Sequence, residues 1–282
     1  MLTLTALLHS IIIGIVQGIS EWLPISSKTQ VLIASSYLLN LNYAQAYTFG
    51  LFIEIGTVIA AVIYFRRDLW NLVKMIMRPK LHPDKRLLVY VIVATVATGI
   101  VGAPLYLVAD SITGVSIGIP MLVVGAVLIG DAVLIRYTKK RAGSISVKKF
   151  ADLRLRDYII VGITQGIAAL PGVSRSGITT STMLLMKVEP DEAFRLSFII
   201  GIFASTAAFL LTLVASHSNV TAALAGIGIT GLIVAIVVAT IISLFLIDFL
   251  IKVAGKAQIV YVTGGLGVLA IAAGLLYLVF GI

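Results

Sequence analysis

The sequence predicts an all-α polytopic membrane protein with six transmembrane helices and two re-entrant helical hairpins in an inverted-topology repeat. Three observations lead to this prediction: the composition, the placement of the charged residues, and a polar motif that occurs twice. The 282 residues are 60% hydrophobic and only 12% charged, with a mean hydropathy of +1.11. A soluble domain of this composition would have to expose apolar surface to water, so we expect the chain to reside in a membrane.

Six apolar stretches are long enough to cross a bilayer, because a spanning helix needs about 20 apolar residues. They lie at about 44–65, 87–108, 115–135, 192–214, 223–247 and 258–280.

The two remaining apolar segments, at about 4–40 and 158–187, are interrupted by polar residues and proline. A helix over the 13 residues from Tyr158 to Leu170 is about 20 Å long, whereas the hydrocarbon core is about 30 Å thick. Pro171 and Gly172 then break the helix. We therefore predict that each segment is a re-entrant hairpin that enters and leaves the membrane on the same side.

The polar motif indicates an internal duplication. It reads QGISEWLPISSKT at 17–29 and QGIAALPGVSRS at 165–176. A second echo follows each copy, FGLFIEIG at 49–56 and FRLSFIIG at 194–201. Because both echoes keep the same order, we expect two repeats, 1–148 and 149–282, within one integral membrane domain. Each repeat has one hairpin and three spans, and this odd number of crossings inverts the second repeat.

The basic residues support this topology. Of the 21 Lys and Arg residues, 19 lie in four short stretches between apolar segments, including a predicted loop at 66–86. The inverted repeat puts all 19 on one face, which the positive-inside rule makes cytoplasmic, so both termini are predicted outside a plasma membrane. Because the basic residues follow the loops, the net charge of +9 does not indicate a nucleic-acid partner. The absence of cysteine excludes disulfides and thiolate chemistry.

The two exceptions, Lys28 and Arg175, occupy matching places in the two motif copies. A charge inside a bilayer costs at least about 2.5–3.5 kcal/mol, so each cation needs a partner or a polar ligand. The candidate partners are Glu21 and Glu54. One interpretation is two buried ion pairs that only fix helix packing.

The hydroxyl groups around the two cations favour a second interpretation, an anion site. These residues are Ser26, Ser27, Thr29, Ser174, Ser176, Thr179 and Thr180. The returning helix of each hairpin is predicted to start just after its turn, so two helix N-termini point toward the same region near the midplane. The planar guanidinium of Arg175 suits a phosphate, because it binds two oxygens at once.

These residues resemble the undecaprenyl-diphosphate phosphatase family of the bacitracin-resistance type. The family pattern has Glu or Gln, three residues, then Glu, and later the string PGxSRSxxT. Gln17 and Glu21 match the first part, and PGVSRSGIT at 171–179 matches the second. The resemblance covers the whole length and implies the inverted repeat of hairpins and spans. It also implies cleavage of polyprenyl diphosphate to the monophosphate and phosphate, with a divalent cation (Mg²⁺ or Ca²⁺), which recycles a lipid carrier for cell-envelope glycan synthesis.

The resemblance also implies residue roles. Glu21 is a metal-binding or acid/base carboxylate, Ser27 a candidate nucleophile and Arg175 the phosphate clamp, and these three are the predicted catalytic residues. The predicted substrate-binding residues are Ser26, Lys28, Thr29, Gln30, Ser174, Ser176 and Thr179. The predicted metal ligands are Glu21, Gln17 and Glu54.

The first motif departs from the family pattern at one position. Many members have Ser-Ser-Thr-Gly-His where this chain has residues 26–30, so Gln30 replaces the expected histidine. A neutral amide cannot take a proton from Ser27 or from water. Gln17 likewise stands where the family pattern also allows Glu, which removes one negative metal ligand. We hypothesise that Glu21 is the remaining base, that Glu54 replaces the carboxylate lost at Gln17, and that Lys28 is a second phosphate cation.

Two other functions are compatible with the sequence. One is a transporter or flippase of a phosphorylated lipid or small anion, since secondary transporters use inverted repeats with broken helices. The other is a catalytically inactive relative kept for assembly or regulation. The expected partners are a polyprenyl diphosphate lipid and the bilayer, and a homodimer is compatible with the sequence.

Overall fold

The chain is helical almost throughout the part that can be described. A computed structural model describes residues 3–41, 43–81, 84–109, 148–170, 172–215, 217–254 and 259–280, together with some residues between 119 and 136. Among these residues, extended backbone pairs only in one parallel bridge between Lys148 and Val188, so the all-α prediction is confirmed for them. The helices are α1 (Leu4–Ser20), α2 (Ser27–Leu39), α3 (Tyr43–Tyr64), α4 (Arg66–Met77), α5 (Arg86–Ala109), α6 (Leu155–Ile167), α7 (Arg175–Leu185), α8 (Pro190–Ala215), α9 (His217–Ala254) and α10 (Ile259–Phe280).

Each copy of the polar motif lies between two helices that contact each other. Helices α1 and α2 flank the turn at 21–26, and α6 and α7 flank the turn at 168–174. Ser26 in the first turn adopts a left-handed backbone (φ 53°, ψ 89°), which is uncommon outside glycine. In the second turn, Ser174 caps α7 by accepting a hydrogen bond from the N–H of Gly177 at 3.2 Å. Pro171, where the helix was predicted to break, lies outside the described residues.

The first helix of the second hairpin is displaced from its predicted position. It runs over Leu155–Ile167, 13 residues, so its predicted range from Tyr158 to Leu170 is wrong at both ends. The start is determined by Asp157, whose carboxylate accepts a hydrogen bond from the N–H of Arg154 at 2.8 Å and so caps the helix. The end is early because the N–H groups of residues 168–170 bond to carbonyls three residues back, which tightens the last turn.

Three described helices are long and apolar enough to cross a bilayer: Arg86–Tyr106, Pro190–Leu211 and Gly228–Ala254. There are four if Phe49–Tyr64 and Arg66–Met77, which are bent by 75° relative to each other, form one span. Of the 21 residues in the predicted span at 115–135, 11 are described, and these are helical. By length and composition, the chain is therefore a multi-pass helical membrane protein.

Two segments that were predicted as loops are helical, so the prediction is wrong there. Residues 66–77 form α4 because apolar residues recur at helical spacing, and Leu72 among them is buried. Helix α9 runs to Ala254, seven residues past the predicted end at 247. In this extension Lys252 pairs with Asp248 one turn earlier, at 2.5 Å, a spacing that supports a helix.

Matching pairs of glycines allow each hairpin to pack closely against a long helix from the other half of the chain. Gly14 and Gly18 of α1 face α9, and Gly162 and Gly166 of α6 face α5. A Cβ atom on any of the four would lie within 3.0 Å of a backbone atom of the facing helix. Small residues permit this approach in membrane helix pairs. These two contacts anchor the hairpins whose turns carry the polar motifs.

Candidate functional site

The turns of the two hairpins contact each other through hydroxyl groups of the second motif. Ser176 donates a hydrogen bond to the carbonyl oxygen of Glu21 at 3.0 Å, and Ser174 donates to that of Leu23 at 3.1 Å. Both serines are buried. The two copies of the motif, far apart in sequence, therefore meet in one place.

Arg175 lies at the centre of a buried polar cluster. One nitrogen of its guanidinium, Nη2, pairs with Oε1 of Glu21. The other, Nη1, lies 3.3 Å from Oε1 of Glu54 and 2.8 Å from the carbonyl oxygen of Gly201, and it also contacts the hydroxyl of Ser205. A single guanidinium is thus shared by two carboxylates, and its side chain is only 16% exposed.

Glu21 also binds the hydroxyl group of its own motif. Ser27 Oγ donates a hydrogen bond to Glu21 Oε2 at 2.6 Å, and Gln17 Nε2 donates to the same oxygen at 2.9 Å. The Glu21 side chain is 3% exposed. A hydroxyl this close to a buried carboxylate is the arrangement of a nucleophile beside a general base.

Ser205 is a site residue that the sequence analysis missed. Its hydroxyl donates to Oε1 of Glu54 and contacts Nη1 of Arg175, so it joins the carboxylate to the guanidinium. It lies on α8, one turn after Gly201, the last residue of the second echo. An i, i+4 position faces the same side of a helix, so this spacing was the available signal.

Lys28 is the second cation of the site and has a different environment. It is half-buried at the first turn of α2, and its side chain forms no hydrogen bond or ion pair with the described residues. Two buried ion pairs are present, as one interpretation predicted, but Arg175 makes both of them. That these pairs only fix helix packing stays an untested interpretation. The ammonium group of Lys28 is left available to an anionic ligand.

These groups line one cavity of about 150 Å³ between the two hairpins. Seven of the predicted site residues contribute to its wall: Glu21, Ser26, Ser27, Lys28, Glu54, Ser174 and Arg175. Ser205 also lines it, and much of the remaining wall comes from α5, α6 and α8 and is apolar. The polar groups are thus gathered on one side of a largely apolar space, as in many small-molecule sites.

The other predicted site residues lie behind this wall. Gln30 Nε2 donates to the carbonyl oxygen of Ile25 at 3.1 Å, and Thr29 Oγ1 lies 3.1 Å from Ser26 Oγ. Thr179 donates to the carbonyl oxygen of Arg175 at 2.7 Å. These contacts hold the two turns in shape. Their predicted role in substrate binding stays a prediction.

The oxygen atoms at the site fit a hard divalent cation in chemistry. Glu21 and Glu54 are carboxylates, and the amide oxygen of buried Gln17 has no hydrogen-bond partner among the described residues. Oxygen donors of this kind suit Mg²⁺ and Ca²⁺. The described residues contain no group of three or more His, Asp, Glu or Cys residues, so amide or hydroxyl oxygens would have to complete the ligand set.

The charges of the site also favour a cation together with an anionic ligand. Glu21 and Glu54 balance Arg175 and Lys28, so the four ionisable groups carry no net charge. A diphosphate entering this apolar cavity would therefore bring uncompensated negative charge, which is costly in a low-dielectric environment.

A multi-pass membrane protein that encloses a hydroxyl, two carboxylates and two cations within an apolar cavity has the features of a membrane enzyme for a phosphorylated lipid. The model of one family, described as Bacitracin resistance protein BacA, matches residues 10–271. The chain belongs to this family.

Curated relatives align over nearly the whole chain. An undecaprenyl-diphosphatase of Saccharolobus islandicus (strain M.14.25 / Kamchatka #1) is 50% identical over 255 residues, which cover 90% of each chain. One from Saccharolobus solfataricus is 48% identical over 271 residues, covering 96% of each chain. Another, from Sulfurisphaera tokodaii, is 45% identical over 272 residues, covering 96% of this chain and 98% of the relative.

Proposed function

We propose that this protein hydrolyses undecaprenyl diphosphate to undecaprenyl phosphate and inorganic phosphate. The observation that carries the proposal is the hydroxyl of Ser27 at 2.6 Å from the buried carboxylate of Glu21, in a cavity that two cations line. The relatives described above are named for this activity. A carrier would need the cations but has no use for a hydroxyl activated by a base, so hydrolysis is favoured over transport.

The chemistry follows from this pair. Ser27 Oγ attacks the terminal phosphorus and passes its proton to Glu21, and the bond from that phosphorus to the bridging oxygen breaks. Undecaprenyl phosphate leaves, and water then hydrolyses the phosphoserine to release phosphate. Glu21 thus does the work that the family histidine, here Gln30, does not supply.

The two cations have different roles in this scheme. Lys28 binds a phosphate directly, since its ammonium is available. Arg175 holds Glu21 and Glu54 in place and contacts the phosphate when one of these carboxylates turns away. Phosphoryl transfer depends mostly on such positioning and charge neutralisation.

A divalent cation, Mg²⁺ or Ca²⁺, is part of the proposal. Glu21, Glu54 and the amide oxygen of Gln17 would hold it. It would neutralise the charge of the phosphate oxygens, which the ionisable residues of the cavity leave uncompensated.

We further propose the complete topology of six spans and two re-entrant hairpins, with repeats at 1–148 and 149–282 and both termini outside the plasma membrane. The matching glycine pairs support it, because each hairpin packs on a helix of the other half in the same way. The asymmetric placement of the basic residues supports the orientation. A homodimer is compatible with this arrangement, and the partner we propose is the lipid substrate within the bilayer.

The test uses purified protein in detergent micelles with undecaprenyl diphosphate as the substrate. We expect release of inorganic phosphate, and loss of this release in Ser27→Ala. Micelles have no second compartment, so phosphate release there cannot come from transport. Absence of release in micelles, together with uptake of the phosphorylated lipid in sealed vesicles, would overturn the proposal in favour of a carrier.

A further inference from the structure

Helix α4 (Arg66–Met77) is held at a steep angle to the apolar helix before it. It is bent by 75° from Phe49–Tyr64, with Phe65 between the two helices. An ion pair between its Asp68 and Arg195 of α8 holds one side of the helix, and its Leu72 side chain is buried. Helix α3 coincides with the span predicted at 44–65. With α3 as that span, a helix at this angle to it runs close to the plane of the membrane.

The outer surface of α4 has an apolar edge. Trp70 is 58% exposed, Ile76 64% and Met77 73%, and Val73 is also exposed. Trp70, Val73 and Met77 are three or four residues apart, so they form one stripe along the helix. No described residue of the protein covers this stripe.

A basic edge runs beside the apolar one. Its exposed members are Arg67, Lys74 and Arg78. Arg66 is also exposed, but it lies one turn before Trp70 and donates to the carbonyl oxygen of Ile63 at 3.0 Å. Lys74 Nζ lies 5.8 Å from the ring centroid of Trp70, so the two edges meet there. The sole acidic residue of α4, Asp68, is already paired with Arg195. Apart from Asn71, the exposed residues of α4 are therefore cationic or apolar.

We propose that α4 lies in the membrane interface and binds anionic lipid head groups. The apolar stripe enters the boundary of the acyl chains, and the basic edge, at head-group depth, pairs with phosphate groups of anionic lipids. Tryptophan is favoured at this depth because its ring is apolar while its N–H group can still bond to water. This lipid site is separate from the cavity and does not depend on the proposed hydrolysis.

Tryptophan fluorescence can test the position of α4, because the chain has only two tryptophans and they differ in exposure. Trp22 is 3% exposed and Trp70 is 58% exposed. The full-length protein is reconstituted in phosphatidylcholine bilayers with lipids brominated either near the head group or near the chain end. We expect quenching of Trp70, stronger with bromine near the head group, and loss of this quenching in Trp70→Phe. Emission that neither lipid quenches would place Trp70 in water or against another protein and would overturn the proposal.

The lipid preference is tested by adding brominated phosphatidylglycerol as a minor component. One basic residue near the surface is worth about 1 kcal/mol, which is about fivefold in affinity. The variant Arg67→Gln/Lys74→Gln/Arg78→Gln should therefore lower the relative association constant of phosphatidylglycerol at Trp70 by at least about fivefold. The matched control Lys149→Gln/Arg154→Gln/Arg156→Gln removes the same charge from exposed positions around the start of α6 and should leave this constant unchanged. Equal effects of the two variants would show a general charge effect and would overturn the assignment to α4.

Discussion

The hydroxyl of Ser27 donates a hydrogen bond to Oε2 of Glu21 at 2.6 Å, while the other oxygen of Glu21 pairs with Arg175 from the second hairpin. The carboxylate is therefore held by both halves of the chain and aimed at a hydroxyl within the first. In the proposed mechanism Glu21 is the base, and the histidine that Gln30 replaces is not needed. The consequences of this arrangement can be measured.

Removing either member of the pair should abolish hydrolysis. We expect Ser27→Ala and Glu21→Gln each to lower kcat for phosphate release by about 10²–10⁴-fold, the usual contribution of acid–base catalysis. Because the two act as a unit, the double variant should be little worse than either single one. Losses that multiply in the double variant would contradict a shared role.

Ser205 and Glu54 should matter through the position of Arg175. Ser205→Ala removes a hydrogen bond to charged groups, worth about 1.5–3 kcal/mol, so we expect a loss of about 10–100-fold in kcat/KM. Glu54→Gln should have a similar or larger effect, because it leaves Arg175 one carboxylate short. The matched control is Ser243→Ala, a buried serine on α9 whose hydroxyl bonds to the carbonyl oxygen of Gly18. Full activity in both Ser205→Ala and Glu54→Gln would show that neither side chain contributes to the site.

Lys28 should act in substrate binding. Since it has no ion pair to lose among the described residues, Lys28→Ala should leave the thermal stability nearly unchanged while raising KM for the diphosphate. We expect Lys28→Arg to restore most of the affinity, because the positive charge is kept. A KM that is unchanged in Lys28→Ala would show that the ammonium does not contact substrate.

Gly201 should be needed for the position of the guanidinium. A Cβ on Gly201 would lie 3.3 Å from Cζ of Arg175, tighter than an ordinary contact, and would push the side chain away from Glu21. Gly201→Ala should therefore lower kcat/KM by about tenfold, the effect expected when a hydrogen bond to a charged group is weakened. The control is Gly265→Ala, because a Cβ there meets no atom within 4 Å. Equal activity of the two variants would contradict this reading of Arg175.

Divalent cations should bind to the purified protein in the absence of substrate. We expect isothermal titration with Mg²⁺ or Ca²⁺ to show binding that weakens at least about tenfold in Glu21→Gln, as hard cations depend on charged oxygen ligands. A chelator should also stop phosphate release. Unchanged binding in Glu21→Gln would show that the cation binds elsewhere in the chain.

The parts of this site that are close in sequence were accessible without the structure. Ser27 and Glu21 are six residues apart in one motif, and the turn between their helices brings them together. Glu54 was recognised as a partner only because a carboxylate in an apolar stretch demands one. Ser205 was missed because a lone serine in a spanning helix usually bonds to its own backbone and, unlike a carboxylate, does not require a partner.

Some elements were misplaced for local reasons. The helix of the second hairpin starts at Leu155 because Asp157 caps it, and a cap depends on backbone geometry that hydropathy does not report. Helix α4 was taken for a loop because its basic residues hid the apolar spacing of Leu69, Leu72 and Met75.

The sequence by itself determined that this protein is a helical membrane protein and predicted that two motif copies carry the chemistry, because hydropathy, charge placement and repetition are local properties of the chain. Only the tertiary structure decided how the charges pair. Arg175 pairs with both carboxylates and Lys28 pairs with neither, since pairing depends on which side chains distant segments of the chain bring within contact of one guanidinium. Helix packing at the paired glycines sets those distances, and no spacing along the chain records them.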